Sequence, residues 1–410
     1  MGPIVATGVM GGVVGALYML VLKTLTERLG PEAWSGPRHV AVLVLTGVVI
    51  AGLVRSLGTP ADVELLVDNI HVNGSVESVR GLRALIPASL IGVAAGSPIG
   101  PEAPLVTTTG SIGSVLAGRR GLDRDDARIV AITGMAAGFT VLFGAPFGSA
   151  LFALEILHRR GLEYHEALMP AIVGSLCGYA VAAVAGVVGL EPIWTFPTVV
   201  ELSNIDLALG LVAGVVGAAV AALFTAMTLA MRRVVGFIPG ELRPIVGGLV
   251  LGGLALISPY ALTNGEFQME HLIATDTAAW AFVGVAVLKL FSSVVAMVCG
   301  WKGGFIIPLF FAGFALGHAM EPLLPAGAHV WPLVIALMVA CNVGVTKTPL
   351  GSTLVVSEMA GFATLPTTLI AAIVSLVLTS EIGLIDSQRR RLAVESDGSE
   401  LGDIDHAAVA

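Results

Sequence analysis

Apolar segments follow one another so closely in this chain that the polar joints between them are too short to cover a water-soluble surface. That succession constrains the fold more than any single motif. The segments lie near 4–26, 40–54, 82–96, 105–118, 125–143, 146–157, 166–190, 206–231, 243–258, 278–299, 308–322, 331–345, 349–359 and 365–385. Hydrophobic residues make up 56% of the 410 and charged residues 12%, against roughly 45–50% and 25% in soluble chains. The expected class is an all-α membrane protein with many spans. A net charge of −8 leaves no basic stripe to neutralise phosphates, which excludes a nucleic-acid partner. Cys177, Cys299 and Cys341 sit far apart in apolar stretches and read as small core residues, with no disulfide framework or metal site. The first segment is too long and too poor in early basic residues for a cleaved signal. Ala6 stands where a myristoylation motif needs Ser or Thr.

Several segments are shorter than the ~20 residues needed to cross a bilayer core. Short or broken helices survive at membrane depth only where protein or a water-filled cavity covers the freed backbone. The pattern is that of a channel or transporter. Gly210–Ala222 reads as close helix packing. Segments 61–71 and 266–274 read as short amphipathic helices, and 191–205, with Pro192, Trp194 and Pro197, as a connecting loop. The end of the chain, 387–410, carries Glu395, Asp397, Glu400, Asp403 and Asp405 and reads as an acidic disordered tail. Arg119, Arg120, Arg124 and Arg128 cluster at one joint, and Arg389, Arg390 and Arg391 follow the last span. The positive-inside rule places the C-terminus in the cytoplasm.

The chain also repeats itself. At an offset of 204, Gly96, Gly100, Pro104, Leu105 and Gly113 match Gly300, Gly304, Pro308, Leu309 and Gly317. At an offset of 203, Pro146, Gly148, Ser149, Leu151 and Glu155 match Pro349, Gly351, Ser352, Leu354 and Glu358. Two matches in the same order point to a duplicated architecture. An odd number of apolar segments between the copies inverts the second. The expected organisation is a first membrane repeat over 1–190, the loop 191–205, a second repeat over 206–386 and the tail. Inverted repeats bring broken helices together near the midplane with their N-termini inward.

Gly100-Pro101-Glu102-Ala103-Pro104 and Gly303-Gly304-Phe305-Ile306-Ile307-Pro308 read as helix starts, with Pro104 and Pro308 at the first helical position. Free N–H groups and about half a positive charge face outward from each start. Two such ends converging would hold a desolvated anion without Lys or Arg, and weakly enough to let it leave. Glu102 is the acid in this frame. A charge at the bilayer centre costs about 2.5–3.5 kcal/mol on insertion scales, and a helix N-terminus returns about 0.3–2 kcal/mol. Glu102 is therefore expected to plug the anion site when ionised and to swing away when protonated. The bland alternative is a helix cap facing interfacial water. Glu155 and Glu358 occupy matching places late in short helices and read as structural acceptors of backbone N–H groups. Lys289, inside a span, either pairs with a carboxylate or snorkels. His158 and His165 read as interfacial loop residues. Ser111, in Gly110-Ser111-Ile112-Gly113, invites comparison with a membrane-embedded hydrolase, but lacks the Gly-x-Ser-x-Gly elbow and an evident His.

These segments resemble the CLC family of chloride channels and proton/chloride exchangers. GPEAP at 100–104 looks like the family's GREGP, with Glu102 at its gating glutamate, and GGFIIP at 303–308 looks like its GGIFAP. APFGSALFALE at 145–155 and TPLGSTLVVSEM at 348–359 resemble family segments too. The resemblance implies an anion site formed by Thr59, Gly100, Pro101, Ala103, Phe305, Ile306, Ile307 and Ile385, with Thr59 at the coordinating serine and Ile385 at the central tyrosine. It also implies a homodimer with one anion pathway per subunit, and no cofactor or metal. The departures matter: Pro101 and Ala103 replace Arg and Gly, Ile306 and Ile385 replace two pore aromatics, and Ile156 stands where exchangers often carry an internal proton-transfer acid. The expected activity is chloride transport gated by Glu102, channel-like or weakly coupled to protons. The alternatives are a proton-coupled chloride or fluoride antiporter and, from another class, the hydrolase.

Overall fold

A computed structural model of the chain describes residues 1–31, 36–58, 60, 67, 69–71, 79–158, 165–186, 194, 196–197, 199, 201–274, 278–385 and 388. Thr59 and the tail at 389–410 lie outside the described residues, as do 61–66 and 191–193. The described elements are helices: α1 (Gly2–Leu29), α2 (Gly36–Leu57), α3 (Val79–Ala94), α4 (Glu102–Arg120), α5 (Arg124–Phe143), α6 (Pro146–Glu155) and α7 (Leu168–Val184). After the middle of the chain come α8 (Asn204–Val235), α9 (Arg243–Ile257), α10 (Gln268–Ala274), α11 (Ala279–Val298), α12 (Ile306–Ala319), α13 (Val330–Thr346), α14 (Pro349–Ala360) and α15 (Leu365–Leu378). Among the described residues, six helices are long and apolar enough to cross a membrane. By contrast α6, with 10 residues, and α14, with 12, are too short to span.

The two halves pack alike. In the first, α4 lies on α5, α5 on α7 and α1 on α7. In the second, α12 lies on α13, α13 on α15 and α8 on α15. The central helices are buried on every side: each residue of α5 from Val130 to Phe143, and of α13 from Pro332 to Thr346. An all-round apolar helix belongs in the interior of such a bundle. The outer helices leave large apolar side chains uncovered, among them Leu17, Leu20, Leu211 and Trp280, as a lipid-facing surface requires. Asp123 caps α5 through the Asp126 N–H at 2.9 Å. Ser203 and Asp206 form a capping box at the start of α8, and Asp206 also accepts from the His329 N–H at 2.8 Å, tying that start to the start of α13. The C-terminal caps of α5 and α13 occupy matching places and share the left-handed conformation, with Gly144 at φ 67° and Lys347 at φ 63°. A lysine is unfavourable there. Its Nζ donates to Gly344 O, Thr379 O and Thr379 Oγ1 at 2.6–2.8 Å, which fixes it.

The halves meet through equivalent elements: α2 on α9, and α6 on α14. At the second contact the matched glycines Gly148 and Gly351 let the two helices touch backbone to backbone. A Cβ at Gly351 would lie 2.5 Å from Phe152 Cα, and one at Gly148 2.6 Å from Val355 Cα. The matched acids then exchange partners. Glu155 accepts from the Leu350 and Gly351 N–H groups at 3.1 and 2.7 Å, and Glu358 from the Phe147 and Gly148 N–H groups at 3.4 and 2.5 Å. Each acid satisfies the orphan amides at the other helix's start. Gly100 and Gly304 form the third meeting point, an antiparallel bridge in which each N–H donates to the other's carbonyl, at 2.9 and 2.7 Å. Reciprocal contacts between matched residues are what an inverted repeat produces.

Candidate anion site

The bridge at Gly100 and Gly304 sets two helix starts against each other. The chain leaves it on one side into α4 at Glu102 and on the other into α12 at Ile306. Both helices begin two residues upstream of the prolines expected to open them. Pro104 and Pro308 fall in the first turn, where a missing N–H costs no helical bond. Glu102 is fully buried. Its Oε1 accepts from the Ile307 N–H at 2.7 Å, so a carboxylate at the start of α4 occupies the amide cradle at the start of α12. The carboxyl lies against both bridge glycines: a Cβ at Gly304 would stand 2.5 Å from Oε2, and one at Gly100 would meet the same oxygen. Oε2 accepts no hydrogen bond among the described residues.

This geometry sorts the expected site residues. Ala103, Phe305, Ile306 and Ile307 surround the carboxyl or line the cavities beside it. Gly100, expected at the anion site, spends its N–H on Gly304 O and lies as a wall against the Glu102 carboxyl. Pro101 has no N–H to offer, and it N-caps α4. Ile385 is buried and lines a cavity of about 130 Å³ with Ala103, Thr107, Phe305, Arg232 and Lys302. Sequence reasoning passed over Gly304 as a site residue and missed the two basic side chains. Lys302 sits inside the repeated motif and was findable there, whereas Arg232 reaches the cavity only through the path of α8. A second cavity, about 20 Å³, joins Ala103, Gly304 and Ile306 to Ile156 through Val67, Val106, Met135 and Phe139. Its described lining carries no titratable side chain.

Lys289 and His158 depart from expectation. Lys289 pairs with no carboxylate among the described residues and does not snorkel. It is buried, and its Nζ donates to Leu262 O, Thr263 O and Gln268 Oε1 at 2.7–2.8 Å, with the Phe311 ring 4.9 Å away. His158 is buried and meets His71 edge-on at 5.0 Å, while His165 is exposed. Ser111 Oγ donates to Thr107 O at 2.7 Å within its own helix, so its hydroxyl is turned to the backbone.

Converging helix starts, a carboxylate held among the amides of one of them and cavities close beside it define a membrane protein that passes anions. Residues 46–380 match the family model of voltage gated chloride channels, and the chain belongs to that CLC family. It is 27% identical over 398 residues to a chloride/fluoride channel protein of Pseudomonas syringae pv. tomato, covering 93% of this chain and 84% of that one. It is 28% identical over 303 residues to the voltage-gated ClC-type chloride channel ClcB of Salmonella typhimurium, covering 71% of each. Two solved structures share the fold at TM-scores of 0.81. One is a CLC-type fluoride/proton antiporter, 21% identical, covering 94% of this chain and 96% of its own. The other is a slow cyanobacterial Cl−/H+ antiporter, 18% identical, covering 93% and 94%. The chain is an integral, multi-pass protein of the cell membrane, and its activity is CLC-type anion transport.

Proposed function

We propose that this protein conducts chloride passively or with weak proton coupling, with Glu102 as the gate. The reading rests on one observation. The cavity running from the anion cradle to Ile156 is walled by aliphatic and aromatic side chains, and an apolar void of that kind stays dry. A proton offered from the arginine-bearing, inward face finds no carrier at Ile156. Glu102 competes with the anion for the Ile307 N–H and its neighbours. When ionised it fills the cradle. When protonated it loses the charge-assisted part of that bond, roughly half its strength, and the anion displaces it. The amides of Ala103, Ile306 and Ile307 then face the ion. Ile385 and Phe305 wall its inward exit beside Arg232 and Lys302. Like its family, the protein is proposed to be a homodimer with a pathway in each subunit and no catalytic function.

Chloride and proton fluxes measured together in proteoliposomes test the reading. Wild type should pass chloride faster as pH falls, because protonation frees the cradle, and should move few or no protons. Glu102→Gln should pass chloride with little pH dependence. Protons driven uphill by a chloride gradient at a fixed ratio would overturn it. That outcome would favour coupled antiport, supported by the solved antiporters that share the fold. Protons would then use Glu155, and Glu155→Gln would remove proton flux and keep anion flux. Fluoride against chloride in the same assay separates the substrates, fluoride being named in one relative.

A further inference from the structure

Part of the inner cavity's wall is carried on a segment that is anchored on either side. Beyond α15 the described chain runs through residues 379–385 to Gln388. Leu384 and Ile385 are buried in it, and both line the cavity of about 130 Å³ beside Ala103 and Phe305. Neither belongs to a helix, so no helix fixes their place. Side-chain contacts at both ends do so. At the near end, Lys347 Nζ donates to Thr379 O and Thr379 Oγ1 at 2.6 and 2.8 Å. At the far end, Gln388 Nε2 donates to Thr346 O at 2.9 Å. Thr346 and Lys347 are consecutive residues at the C-terminal end of α13, so both anchors stand on one point of the fold.

The Gln388 side chain reaches further than α13. Its Nε2 also donates to Ile156 O at 2.9 Å, at the C-cap of α6. Carbonyls at the end of a helix lack an intrahelical donor. One carboxamide nitrogen therefore satisfies an orphan carbonyl from each half of the molecule. The Gln388 backbone N–H donates to Ile385 O at 3.3 Å, which couples the anchored side chain to the residue at the cavity wall. Gln388 is 3% exposed, and its Oε1 accepts no hydrogen bond among the described residues. Its carboxamide is thus held through its two donors. A side chain of similar length without them has nothing to bind there: an ionised carboxylate would face two carbonyl oxygens, and a thioether offers no proton.

We propose that Gln388 is a positioning residue for anion passage: by latching onto the ends of α6 and α13 it keeps Ile385 at the inner exit, and so sets the size of anion that passes. This rests on the anion leaving past Ile385, as in the function proposed above. With the latch closed, Ile385 and Phe305 narrow the exit and favour a small ion. With the latch open, Lys347 still holds the segment at Thr379, but Ile385 is released from its far side and moves off the exit. Larger anions then pass.

The test is the flux of chloride and of thiocyanate, a longer polyatomic anion, through the full-length protein in proteoliposomes. Gln388→Glu and Gln388→Met should each raise the ratio of thiocyanate to chloride flux severalfold over wild type. Ile385→Ala should raise it too. Gln388→Met combined with Ile385→Ala should raise it no further than the larger single variant, because both open the same wall. Should Gln388→Glu not fold, Gln388→Met carries the test. A staple that served stability alone would lower the unfolding midpoint in detergent and leave the ratio unchanged. That unchanged ratio, or single effects that multiply in the double variant, would overturn the inference. Absence of anion flux in wild type, or a wild-type ratio in Ile385→Ala, would instead overturn the reading of the pathway, and the latch with it.

Discussion

Three buried or half-buried glutamates near helix ends behave differently because of what each carboxylate meets. Glu155 and Glu358 each accept two backbone N–H groups from the partner helix. Glu102 accepts one, and its second oxygen is left over. The first two are held, and the third is free to be exchanged for an ion. Glu155→Ala should lower the thermal unfolding midpoint in detergent markedly, since each charge-assisted bond contributes about 1.5–3 kcal/mol and two buried amides lose their acceptor. Glu358→Ala, at a more exposed carboxyl with one long bond, should lower it less. Equal midpoints for both variants and wild type would remove the structural role assigned to the pair.

At the level of elements, the crossing of α6 and α14 is a close joint between the halves. Gly148 and Gly351 bring backbones into contact there, and the same closeness allows each helix's late carboxylate to reach the other's first turn. A methyl group at Gly148 would push against Val355. Gly148→Ala should cost about 1–3 kcal/mol of overpacking and loosen the carboxylate exchange as well. The measurable result is a lower unfolding midpoint together with weakened coupling between Glu155→Ala and Glu358→Ala in a double-mutant cycle. The helix starts themselves were legible from Gly and Pro spacing. Their registration was not. Proline in a first turn is tolerated at several positions, and α4 and α12 both begin two residues earlier than the prolines suggest.

Across the whole molecule, the inverted halves place helix ends at the centre and basic side chains at one mouth. The cavity of about 130 Å³ beside Ile385 draws Arg232 from the end of α8 and Lys302 from the turn before α12. The sequence pattern sets neither beside the cradle's amides, yet both line the cavity next to Ile385. Replacing both, Arg232→Gln with Lys302→Gln, should reduce chloride flux severalfold at low ionic strength. The deficit should vanish as salt approaches 1 M, where the Debye length falls to about 3 Å. A deficit that ignores salt would mean a structural effect instead of electrostatic attraction.

Local pattern settled what local physics controls. Apolar density required a membrane, segment length required broken helices, and two offsets near 204 required a duplicated chain whose Gly-Pro frames surround Glu102. Residues about 200 apart in sequence had to meet before anything else was decided. Only the packed structure joins Gly100 to Gly304, hands Glu155 to the amides of α14 and surrounds Lys289 with neutral oxygens. The reason is physical: helix starts and apolar faces are encoded within a few residues, whereas the partner of a buried charge depends on which distant backbone group the fold brings within hydrogen-bonding distance.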